Sequence, residues 1–217
     1  MLGFSLARLS YLNIGGSASS SFDNGAAPGE WYWYRSDHYR IGITLHLSTI
    51  LPAGLLMVWQ FVPVLRHKFL LFHRINGYAI IVLVLLSNVG ALMICRHSLG
   101  GTVETQVGVV TLATASTVSL AMAYYNIKRL QTDQHRPPWM LRAMFYLCTI
   151  ITLRIIMIIS TQITSRINSY HTVRSCDEMA FIYGSAVSAW KFYPQCNSTA
   201  DPKTNLVVVH AMCEGLA

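Results

Sequence analysis

Arg154 stands in the middle of TIITLRIIMII, residues 149–159, where every other residue is apolar or carries a small hydroxyl. An arginine keeps its charge and presents five N–H donors, so in apolar surroundings it demands acceptors. His46, in IGITLHLSTI, and Asn88, in LLSNVG, keep similar company. A neutral histidine offers one ring nitrogen as acceptor, and an asparagine amide offers an oxygen. These three residues form the candidate binding site, suited to a polar or anionic small molecule. Two readings of Arg154 stand side by side. In one, carbonyls and hydroxyls satisfy it and it only ties helices together. In the other it lines a polar cavity, since ionisable groups inside a membrane mark function by default.

The histidines suggest a second chemistry. His73 and His135 each precede an apolar run, in FHRINGY and QHRPPWM. A transmembrane b-type cytochrome ligates haem with histidine pairs at matched depth on facing helices. His73 and His135 are therefore the candidate haem or metal ligands. His46 and His97 match less well, because His97 lies past the end of its run. No carboxylate or cysteine joins the histidines at metal-ligand spacing. A third group lies near the C-terminus. Cys176 and Cys196 flank a segment with turn residues and can form a disulfide in an oxidising compartment. Asn197-Ser198-Thr199 is a glycosylation acceptor pattern. Cys213 is left over, and Cys95 and Cys148 sit in apolar segments as core packing. There is no phosphate-binding glycine loop, nucleophile elbow or carboxylate pair, so whether the chain is an enzyme stays open.

The elements that position these residues are read from the charge pattern. Hydrophobic residues make up 53% of the 217, and charged residues only 12% against about a quarter in soluble domains. Residues 41–63, 75–95 and 105–127 contain no Asp, Glu, Lys or Arg, and 139–163 contain only Arg142 and Arg154. About 20 apolar residues cross a bilayer as a helix. The expected fold is all-α, a transmembrane four-helix bundle with a small irregular lumenal C-terminal cap. A soluble chain this short cannot bury four such helices. The net charge of +7 does not point to nucleic acid, because it is placed by loop. Loops 64–74 and 128–138 hold Arg66, Lys68, Arg74, Lys128, Arg129 and Arg136 against Asp133 alone. Short Lys/Arg-rich loops stay cytosolic. Both termini and loop 96–104 then face the lumen or the outside of a multi-pass protein of the plasma membrane or secretory pathway. Its partner is the lipid bilayer.

Residues 1–40 read as a flexible lumenal tail, Gly/Ser-rich and ending in an aromatic belt of Trp31, Tyr32, Trp33 and Tyr34. RHKFLLFHR, residues 66–74, reads as a short interfacial turn, and Pro137-Pro138 as the start of the fourth helix. Residues 164–217 form the C-terminal tail, in which LVVVHA is either a strand or the stump of a further helix. From the helical rise, His46 lies about 9 Å, and Asn88 and Arg154 about 4–5 Å, to the lumenal side of the helix centres. Thr111 and Thr114 of the third helix stand at comparable height.

IGITLHLSTILP, VWQFVPVLRHKFLLFHRINGY, the glycines at 100–101, and NIKRLQTDQHRPPWMLR followed by ITLR resemble an uncharacterised polytopic integral-membrane family. It is a domain-of-unknown-function family common in filamentous fungi and similar to bacterial predicted membrane proteins. The resemblance runs over about residues 30–196. It implies a polytopic helical fold and marks His46, His73, Arg74, His135, Arg136, Trp139, Arg142 and Arg154 as motif positions. It supplies no activity. Against that family the chain reads as short at both ends, with a helix expected ahead of the glycine-rich tail and more chain after LVVVHA.

Overall fold

The structure is a computed structural model of the chain. It describes all residues except 1, 17–20, 27–28, 99–100, 102, 130–138, 165, 168–170, 198–200 and 211–217. At 66, 104, 150–154, 157, 158, 160, 161, 164 and 210 only the backbone is described. The chain divides into two units, Met1–Gly25 with Tyr34–Thr152, and Ala26–Trp33 with Leu153–Ala217.

The first unit is built on long helices. Short helices α1 (Leu2–Ala7), α2 (Phe22–Gly25) and α3 (Glu30–Tyr34) precede α4 (Asp37–Gln60) in the chain, and α3 up to Trp33 belongs to the second unit. A short α5 (Pro63–Lys68) follows, then α6 (Leu70–Ile94), α7 (Val103–Lys128) and α8 (Leu141–Thr164), whose residues up to Thr152 belong to this unit. Three helices among the described residues are long and apolar enough to cross a membrane: Asp37–Gln60, Leu70–Ile94 and Thr105–Lys128. A helix satisfies its backbone internally, which hydrocarbon requires. Pro52 lies inside α4, where it removes one backbone donor, as spanning helices tolerate. In the most apolar windows of these three helices only 39%, 28% and 28% of residues are buried. Outward-facing residues such as Val82, Leu85, Leu86 and Val89 of α6 leave a continuous apolar surface. Such a surface suits lipid and not water. α8 covers the fourth expected segment, but most of the side chains from 150 onward lie outside the described residues.

One core joins Ala53 and Met57 of α4, Ile80 and Val84 of α6, Leu120 and Ala123 of α7, and Ala143 and Leu147 of α8. α4 and α6 run antiparallel, their approach set by glycine. A Cβ on Gly90 would lie 2.7 Å from the Gly42 carbonyl oxygen and 2.7 Å from the His46 nitrogen, both backbone. Where a flexible tail is expected, Tyr11 and Phe22 pack edge to face at 5.6 Å, and Phe22 stacks on buried Tyr34 at 6.0 Å. The interfacial turn expected at 66–74 is the end of α5 and the start of α6.

The second unit departs from the all-α expectation, because it contains a small sheet. Strands β1 (His171–Ser175) and β2 (Leu206–His210) pair antiparallel, with Thr172 opposite Val209 and Arg174 opposite Val207. Val207 and Val209 are buried while Leu206 and Val208 are exposed, a period of two that a β-branched run supports. Of the two readings of LVVVHA, the strand is the one formed. The expected irregular cap also holds helices α9 (Cys176–Ile182) and α10 (Ala186–Phe192), each started by a serine cap. The Ser175 hydroxyl accepts from the Glu178 backbone N–H, and Ser185 accepts from Ser188. A disulfide joins Cys176 to Cys196, with Cα atoms 5.5 Å apart, and both cysteines sit in a core with Met179, Tyr193 and Val207.

Candidate functional site

His46 and Asn88 are both used between helices. The His46 Nδ1 lies 2.9 Å from the Ser87 hydroxyl and 3.1 Å from the Ser87 carbonyl oxygen, which ties α4 to α6. Asn88 Nδ2 points to α7, where the Ser116 hydroxyl (3.0 Å), the Thr117 hydroxyl (2.9 Å) and the Ala113 carbonyl (3.2 Å) accept from it. Neighbouring residues of α6 therefore serve two different helices, because successive positions are about 100° apart around the axis. Thr111 and Thr114, expected at comparable height, are both exposed, and the Thr114 hydroxyl donates to the Val110 carbonyl of its own helix. Helical phase decides which residues of α7 meet Asn88. Positions 113, 116 and 117 share one face, and 111 and 114 lie on another.

Arg154 belongs to the second unit and its side chain lies outside the described residues. His135 also lies outside them, so the haem pair is represented by His73 alone. The Gln60 amide Nε2 donates to His73 Nε2 at 3.3 Å. Gln60 Oε1 in turn accepts from Asn76 Nδ2 at 2.9 Å, and the same Nδ2 donates to the Leu56 carbonyl at 3.0 Å. This chain dictates proton positions. The Leu56 carbonyl orients Asn76, Asn76 orients Gln60, and the Gln60 N–H requires a lone pair on His73 Nε2. Among the described residues no group of three or more His, Cys, Asp or Glu could hold a metal ion.

Gln60, Asn76, Ser87, Ser116 and Thr117 do not stand out in the sequence reading. One signal finds them. In antiparallel neighbours, depth falls along one helix as it rises along the next, so His46 matches the Ser87–Gly90 turn and Gln60 matches Asn76.

In the second unit Glu178 is buried and paired with Arg174. Burial raises its carboxyl above the usual 4.5, against the pull of Arg174 and a hydrogen bond from the Trp33 indole. Gly29 adopts φ +85°, and a Cβ there would lie 2.6 Å from Glu178 Oε1, so glycine is required. The Tyr32 hydroxyl donates to Asp177 at 2.5 Å and its ring lies 5.7 Å from that of Phe181. Tyr32 and Trp33 are half-buried beside α9, where their polar atoms find carboxylates. Asn197 is exposed just after Cys196, and Ser198 and Thr199 lie outside the described residues.

A model of a family described as predicted membrane protein (DUF2306) matches residues 43–187, about two thirds of the chain. No curated protein and no solved structure matches it.

Proposed function

The chain belongs to this family of predicted membrane proteins, and from that premise we propose that it is a four-span scaffold whose intramembrane polar residues hold its helices in register. α8 supplies the fourth span, and loops 64–74 and 128–138 face the cytosol. The termini and the disulfide-linked unit lie on the other side, in the plasma membrane or secretory pathway. An oxidising compartment suits the Cys176–Cys196 bridge and makes Asn197 a glycosylation acceptor. The observation that carries the scaffold reading is the use of both His46 and Asn88 in contacts between helices. Between spans, apolar surface gives no net drive, so small residues and interhelical hydrogen bonds supply specificity.

A second reading rests on Arg154, a permanent charge in an apolar segment. In it, the arginine receives a polar or anionic small molecule on the lumenal side. The haem reading has less support, because the lone pair an iron would need on His73 Nε2 accepts from Gln60. Native mass spectrometry of the purified protein separates the three. The scaffold reading expects lipid and detergent adducts only, and no Soret band. A small non-lipid molecule retained by the native chain and lost from Arg154→Leu would replace it with the binding reading, and a haem mass would replace it with the redox reading.

A further inference from the structure

One end of the first unit seats its cations on aromatic rings. It is the end where α6 begins, α7 stops and α8 begins. The Lys128 ammonium lies 5.5 Å from the centre of the Tyr124 ring. The Tyr78 and Tyr124 rings are 6.1 Å apart and join α6 to α7. Arg129 lies 4.5 Å over Tyr125, and Arg142 4.9 Å over Trp139. Lys128, Arg129 and Arg142 are all exposed. Residues 63–78, 124–129 and 139–142 contain no acid, so the charge of these segments is uncompensated from within.

We propose that Lys128, with the Tyr78 and Tyr124 hydroxyls and with Arg129 and Arg142 at the same end, binds the phosphate of an anionic phospholipid headgroup. The phenol O–H groups of Tyr78 and Tyr124, whose rings meet at this end, can each donate to a phosphate oxygen. A phosphate oxygen above Lys128 then meets one ammonium and two hydroxyl donors drawn from two helices, and charge-assisted bonds of this kind are the strong ones. The rings cost the cations little, because they attract cations through their faces. The apolar flank selects a lipid over a soluble anion. Ile75, Val82 and Ile127 are exposed beside the site and offer the acyl chains a surface continuous with the spans. A zwitterionic headgroup brings its own cation into a patch that is already positive, so a net negative lipid is favoured. The proposal rests on the membrane-embedded reading but not on which side this end faces.

The test uses the purified chain in neutral detergent with fluorescent phosphatidylglycerol as probe and phosphatidylcholine as competitor. The native protein is expected to retain phosphatidylglycerol in preference and to lose it as salt rises. Each charge removed weakens retention by about fivefold, so Lys128→Gln with Arg129→Gln and Arg142→Gln weakens it by about a hundredfold. Since losing three cations can disturb insertion, Tyr78→Phe with Tyr124→Phe provides the second variant. It keeps rings and charges and should still lower retention measurably. Equal retention of the two lipids, or unchanged retention in both variants, would overturn the proposal. Displacement by inorganic phosphate as readily as by lipid would overturn it too, by assigning the site to a free anion. A colourless, ligand-free scaffold passes this test as readily as a small-molecule binder, so failure here leaves the scaffold reading standing.

Discussion

In the first unit α4 and α6 meet backbone to backbone at Gly42 and Gly90, with His46 and Ser87 bonded beside them. In the second, a disulfide, a two-stranded sheet and the Arg174–Glu178 pair hold a chain with few apolar core residues. The difference follows from composition: long apolar spans in one unit, short mixed elements in the other. Helices in lipid gain nothing from hiding apolar faces, so close fit and a few hydrogen bonds must choose the partner. The short elements at 171–210 bury few apolar side chains, and covalent bridging restricts their unfolded state instead.

That contrast can be broken most forcefully at the disulfide. Cys176→Ser with Cys196→Ser opens a loop of sequence separation 20, a loss of about 3 kcal/mol. Limited proteolysis should then cut residues 171–210 readily while α4 and α6 stay protected. Equal loss of protection in α4 would mean that the two units do not hold independently. Next in size is Gly90→Val, which forces α4 and α6 apart and should cost about 1–3 kcal/mol by overpacking. A Cβ on Gly108 would meet nothing within 4 Å, and Gly108→Val in the same thermal-melt assay should leave the melting temperature almost unchanged. Asn88→Leu removes the α6–α7 bond and should cost about 0.6 kcal/mol, the typical worth of such contacts in membranes. A loss several times larger would mean that Asn88 does more than pair helices.

The smallest effect is one of sign. Glu178 has its carboxyl raised by burial, so its folded form takes up a proton more readily than its unfolded form. Its contribution is fully present below the usual 4.5 and is lost as pH rises through its folded value. His97, just beyond α6, is lowered below 6.5 by burial and by the charges of Arg96 and His38. Its contribution is present above 6.5 and is lost as pH falls through its folded value. Acidification from neutral pH should therefore favour the second unit through Glu178 and disfavour the Tyr39–His97 end of the first. Hydrogen exchange measured unit by unit at two pH values checks this, and Glu178→Gln and His97→Gln should each flatten one trend. Parallel trends in both units would refute the assignment.

The spans at 37–60, 70–94 and 105–128 were legible to within a few residues because a run without charge is a local property. The candidate site was legible only in part. His46 and Asn88 stood out as polar residues in apolar runs, but their partners did not. Ser87, Ser116 and Thr117 are small residues that could face either way until the phase of the helix is known. The strand at 206–210 was ambiguous because five residues are too few to separate a period of two from a helix turn.

By itself the sequence determined that this chain lives in a membrane, where its longest helices run, and at which ends the cations gather. Hydropathy and charge act residue by residue and add along a segment, so no neighbour is needed to read them. Only the tertiary structure decided that Gly42 meets Gly90, that Asn88 turns to α7 and not α4, and that the Tyr78 ring of α6 meets the Tyr124 ring of α7. Those outcomes depend on the phase and register of one helix against another, which are set by shape fit across helices far apart in the chain.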